Sequence, residues 1–125
     1  IKTGAFFIIG YPSETDDTIL ETVNCASTLP LDYIGFTMPY PIPNTPLYET
    51  VKKTMIAKEY EEQKGHRLIK HTLLFRSRFS ETKLRFAILK ASIQFKLSKK
   101  LGAHMYQHFG GPFEHLTNFF FRMMR

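Results

Sequence analysis

The segment Gly4-Ala5-Phe6-Phe7-Ile8-Ile9 carries no polar side chain, and Gly10-Tyr11-Pro12-Ser13 cuts it off at once. An apolar run without alternation describes a strand covered on both faces, the pattern of a parallel sheet. Gly10 suits a tight turn, Pro12 stops further pairing, and Ser13 or Thr15 stands where a helix N-cap belongs. Asp16 and Asp17 then fall in the first helical turn, where the positive end of the helix dipole favours carboxylates. Ile19, Leu20, Val23 and Ala26 recur at helical spacing, Asp17, Glu21, Asn24 and Thr28 face outward, and Pro30 closes the helix. Asp32 to Met38, rich in aromatic and branched side chains, reads as a second strand. Strand, helix and strand in this order predict a βαβ unit with parallel strands and a right-handed crossover.

Beyond it, Pro39, Pro41, Pro43 and Pro46 stiffen an extended loop, and Thr45-Pro46 is a good helix start, the helix running to about Thr54. Residues 55–79 form a connector, interrupted at Gly65, in which His71-Thr72-Leu73-Leu74-Phe75 suits a short extended piece. Ser80 caps a long helix ending near Leu101. Its apolar residues make two stripes: Leu84, Ile88, Ala91 and Phe95 on one side, Phe86, Leu89, Ile93 and Leu97 on roughly the other. Gly102 and Gly110-Gly111-Pro112 break the chain before a last, Phe-rich helix from about Phe113 to Met124. The organisation expected is thus a βαβ unit with its following helix (1–54), the connector (55–79) and a helical extension (80–125).

Charge divides the chain unevenly. Of 17 Lys and Arg, only Lys2 lies in residues 1–50, against six of the 11 acids; the remaining three-fifths of the chain is strongly basic. Such asymmetry suggests different surroundings for the two parts. Cys25 is the single cysteine, which excludes an internal disulfide or a cysteine-ligated cluster made by this chain alone. One free thiol suits a reducing cytoplasm. No apolar stretch approaches the ~20 residues that span a bilayer.

In parallel α/β folds, ligands bind beyond the carboxyl ends of the strands, where loops carry backbone donors. Gly10–Glu14 and Pro39–Tyr48 are two such loops opening on one edge. The stretch "FFIIGYPSET" followed by "LDYIGFTMPYPIPNTPLYE" resembles the fifth and sixth strands of the radical S-adenosylmethionine barrel. It is particularly similar to the cobalamin-binding branch that includes the anaerobic magnesium-protoporphyrin monomethyl ester oxidative cyclases. The resemblance implies an α/β chain: the last strands of a partial TIM-like barrel, with a mainly helical C-terminal extension. It implies that Ile8, Gly10 and Glu14, with Met38 and Pro39, contact the adenine side of S-adenosylmethionine, and that Tyr40 and Tyr48 line the substrate cavity. In the parent enzyme it implies reductive cleavage of S-adenosylmethionine at a [4Fe-4S] cluster, with cobalamin in the later chemistry of cyclisation or C-methyl transfer. Two features depart from the family: Ser13 stands where glycine is common, and the Cys-x-x-x-Cys-x-x-Cys cluster motif is absent. The resemblance therefore makes the chain, which begins at Ile1, a C-terminal fragment that is inactive alone and whose partners are the remaining barrel and a small-molecule substrate.

Blander readings stand beside these. His104 and His108 share a helix face as metal ligands do, but no third ligand is evident. Cys25 in the crossover helix fits a small buried thiol. The Lys and Arg excess reads as a solvated face, as a basic module for an acidic partner, or, with Phe113, Leu116, Phe119, Phe120 and Phe121, as a membrane-surface helix. Core-like spacing of these aromatics argues against nucleic acid. Open strand edges and the second stripe of the long helix predict self-association of the isolated chain.

Overall fold

A computed structural model describes residues 1–56 and 72–125. The chain is mixed α/β. Strand β1 (Gly4–Ile8) is followed by helix α1 (Asp16–Thr28), strand β2 (Tyr33–Thr37) and the short helix α2 (Pro46–Val51). Three C-terminal helices come after: α3 (Glu81–Leu101), α4 (Ala103–Phe109) and α5 (Gly111–Met123). The strands pair in parallel, from Gly4 opposite Tyr33 to Ile8 opposite Thr37. The βαβ unit with parallel strands is therefore present.

Its helix starts as the sequence chemistry requires. Of the two candidate caps it is Thr15 that serves, accepting from the Thr18 amide while its own amide donates to the Thr18 hydroxyl at 2.9 Å. Thr45 caps α2, with Pro46 at its first position, but that helix ends at Val51 and the chain turns instead of continuing to Thr54. Ser80 caps α3. A single antiparallel bridge joins Met55 to Phe75, so the extended piece around Leu74 pairs locally. Gly65, His66 and His71 lie outside the described residues.

The core lies between one sheet face and the helices. Ile9, Ile19, Val23, Leu84, Ala87, Ala91 and Phe121 are all completely buried. Helix α3 packs along α1, and α5 lies against both. The expectation that β1 is covered on both faces does not hold among the described residues. Phe7 stacks on Phe36 at 5.2 Å toward the helices, whereas Phe6 is 76% and Ile8 58% exposed on the other face. Among the described residues, two strands and one helical layer supply no second layer to cover them. On that open face the Phe6 ring lies over Gly35, where a Cβ would come within 2.6 Å of it.

The second stripe of α3 is open in part: Leu89 is 56% and Ile93 38% exposed, whereas Phe86 packs against the core and Leu97 is half-buried. Its packed side is more polar than the leucine and phenylalanine pattern indicates: Lys83, Lys90, Gln94 and Ser98 are buried there. Asn24, expected to face solvent, turns toward this side. Its Oδ1 accepts from Lys90 Nζ at 2.7 Å and from Gln94 Nε2 at 3.3 Å, and its Nδ2 donates to Glu114 of α5 at 3.0 Å. Lys90 Nζ donates again to Gln94 Oε1 at 2.6 Å. Neutral acceptors replace only part of its hydration, so burial lowers the Lys90 ammonium to about 8, with Glu114 opposing. The nearby Tyr106 hydroxyl is buried without a hydrogen-bond partner of good geometry, the Gln94 amide beside it being engaged by Lys90 and Asn24. Burial raises the Tyr106 pKa. Cys25, in contrast to the expected buried thiol, is exposed, because Val23 and Ala26 turn the core-facing side of α1 away from it.

Candidate functional site

Because β1 and β2 are parallel, their carboxyl ends lie at one edge of the sheet, and the two following loops begin there. Ile9 continues the ladder, its amide donating to the Thr37 carbonyl at 3.0 Å. Gly10 then turns the chain with φ 95°, a conformation side chains other than glycine rarely adopt. It is also closely covered: a Cβ there would lie 2.6 Å from Leu84 Cδ1 of α3.

Glu14 fixes the turn. Its Oε2 accepts from the amides of Gly10 at 2.6 Å and Tyr11 at 2.7 Å, so two donors left free by the end of the strand meet one carboxylate. Charge-assisted bonds of this length are the strong kind. Ser13, the departure from glycine noted in the sequence, keeps a negative φ, since Asn44 is the one non-glycine residue with positive φ among those described.

The loop is braced from behind by the start of α3. Lys83 Nζ reaches Asp16 Oδ1 and Oδ2 at 2.8 and 2.9 Å, with the lysine side chain 6% exposed. The ammonium sits 4.7 Å from the Phe121 ring centroid and 5.7 Å from that of Phe79. Asp16 thus favours the N-terminus of α1 and anchors α3 with the same carboxylate. Sequence spacing alone did not reveal this pair, which lies far apart in the chain.

The predicted site residues divide by position. Ile8, Gly10 and Glu14 come together at the end of β1, with the Ile8 side chain on the open sheet face. Met38 and Pro39 follow β2 at the same edge; both are buried, so what they offer there is backbone and little side-chain surface. Tyr40 is half-buried in the proline-rich stretch, and Tyr48 is half-buried on α2; each is engaged in interactions of its own. His104 and His108 stand exposed on α4 with ring centroids 5.5 Å apart. Among the described residues no three of His, Cys, Asp and Glu group as a metal site, and no helix is long and apolar enough to cross a membrane.

This chain is similar to an uncharacterized methyltransferase of Pyrococcus horikoshii, with 31% identity over 110 residues. The match takes in 83% of this chain and 22% of the relative, so the chain spans about a fifth of that protein's length. No protein-family profile matches the chain. No solved structure matches it.

Proposed function

We propose that this chain forms the C-terminal strands and helices of a radical S-adenosylmethionine enzyme of the methyltransferase type, probed by the loops that follow β1 and β2. The observation that carries the proposal is the Glu14 clamp on the Gly10 and Tyr11 amides, directly beyond the exposed Ile8 side chain. It presents an apolar side chain and a rigid glycine turn at the strand end where parallel folds take their ligands. Similarity to an uncharacterized methyltransferase favours methyl transfer over cyclisation.

In this proposal the residues of the chain bind and shape. Ile8 offers the adenine ring an apolar contact, and Gly10, packed against Leu84, turns the chain so that the loop stands beside it. Glu14 holds the turn through Oε2, which accepts from two amides. Tyr40 and Tyr48 flank the substrate. S-adenosylmethionine supplies the methyl group when bound. An iron–sulfur cluster does not fit this chain's own residues, because Cys25 is its single cysteine and is exposed on α1. Cluster and cobalamin ligands would belong to the rest of the parent barrel, whose strands would cover Phe6.

The test is a binding titration of S-adenosylmethionine to the protein encoded by the whole reading frame, prepared anaerobically. Ile8→Asp is expected to weaken binding at least tenfold while iron content stays unchanged. An upstream sequence without Cys-x-x-x-Cys-x-x-Cys, or an Ile8→Asp protein with unaltered affinity, would sink the proposal.

A further inference from the structure

At the N-terminal end of β2 the C-terminal half of α3 stands off from the strand, leaving a groove of about 570 Å³. Its size lies within the range of small-molecule sites. Asp32, Tyr33 and Ile34 form one wall, and Ser92, Phe95, Lys96, Lys99 and Lys100 form the other. The helix residues fall at the spacing of one face, so Lys96 and Lys100 stand one turn apart on the same rim. Lys99 reaches across, donating to the Asp32 carbonyl at 3.0 Å, with its ammonium 5.2 Å from the Phe95 ring centroid. Asp32, the only acid among the described lining residues, is therefore already beside a lysine. Lys96 and Lys100 have no acidic partner among the described residues and are exposed.

A surface that is apolar at its base and doubly cationic at its rim has a definite complement. We propose that this groove is a binding site for an amphipathic carboxylate, its apolar tail laid on Ile34 and Phe95 and its head held between Lys96 and Lys100. Inorganic anions would gain only the exposed lysines, which water screens well. A neutral apolar molecule would leave the rim unused. An anion with a tail uses both, and the Lys99–Asp32 strap forms a wall shared with a second groove of about 360 Å³ lined also by Leu29, Leu31 and Ser98.

Isothermal titration calorimetry with sodium laurate, kept below its micelle-forming concentration, tests the site. Saturable binding of one laurate per chain is expected, weakened at least tenfold in Lys96→Glu/Lys100→Glu and weakened by added salt in the wild type. A charge-matched control, Lys2→Glu/Lys53→Glu, should bind as the wild type does, and circular dichroism checks that both variants fold. Dodecyltrimethylammonium, which has the same tail and the opposite charge, and acetate, which has the head alone, should each bind at least tenfold more weakly. Equal binding of laurate and the ammonium amphiphile would overturn the proposal in favour of unspecific apolar partition. Equal loss in both double variants would overturn it in favour of overall charge. Binding to phosphatidylglycerol vesicles without binding of monomeric laurate would overturn it in favour of a lipid surface.

Discussion

Raising the pH should stabilise this chain, and Lys90 is the reason. Its ammonium is lowered from 10.5 to about 8 in the fold, chiefly by burial. Between those values the unfolded chain binds more protons than the folded one, so stability grows as pH climbs through that window. Below about pH 8 the penalty for the buried charge is fully present. One unit of difference corresponds to about 1.4 kcal/mol, so the window sets a ceiling of about 3 kcal/mol. The range from about pH 7.5 to about pH 9.5 covers only part of that window, and about 1–2 kcal/mol is expected across it. The Tyr106 hydroxyl, pushed up by burial, acts in the opposite sense above its unfolded pKa, which is why the comparison stops below pH 10. The chain has no tryptophan, so urea unfolding is followed by far-UV circular dichroism at low protein concentration. Lys90→Met should abolish the rise while leaving Gln94 Nε2 to donate to Asn24 Oδ1. A wild-type midpoint that stays level or falls over this range, or a Lys90→Met protein that keeps the rise, would refute the reasoning.

Gly10→Ala should destabilise by about 2–4 kcal/mol, from the positive φ and the clash with Leu84, and thermal unfolding measures it. Glu14→Gln keeps an acceptor but loses its charge; about 1–2 kcal/mol should be lost, together with faster amide exchange at Gly10 and Tyr11. Asp16→Ala leaves the Lys83 ammonium buried and unpaired, so a loss of about 3 kcal/mol or more is expected; Asp16→Ala/Lys83→Met should recover most of it in a double-mutant cycle. The chain alone should self-associate through the open sheet face, and Phe6→Glu/Ile8→Lys should lower the sedimentation coefficient at micromolar concentration. A compact wild-type monomer would contradict that last expectation.

The local chemistry of the first half was plain in the sequence. A run without alternation, a cap before two aspartates and a proline after threonine each act over a few residues, and β1, α1, β2 and the start of α2 follow from them. The turn at Gly10 was legible for the same reason, but the Glu14 clamp on the Gly10 and Tyr11 amides was not, although donor and acceptor lie within four positions. What also escaped was every interaction that joins distant segments. Asn24 reads as a solvated helix residue until Lys90, Gln94 and Glu114 close around it from α3 and α5. Lys83 reads as a first-turn surface lysine until Asp16 and two phenylalanine rings enclose it. Hydrophobic periodicity placed Leu84, Ile88, Ala91 and Phe95 on the packed side of α3 but missed Lys83, Lys90, Gln94 and Ser98 beside them, because polar residues with satisfied hydrogen bonds can occupy a packed face as well as leucine does.

Leu84 fills the room that the missing side chain of Gly10 leaves, and Lys83 beside it holds the first turn of α1. The turn after β1 is therefore moulded against a helix that follows much later in the chain. During synthesis β1, α1 and β2 leave the ribosome seconds before that helix does. Until it arrives the turn has its glutamate clamp but no wall to set against, so the edge that the proposal gives to a ligand acquires its shape only once α3 is made.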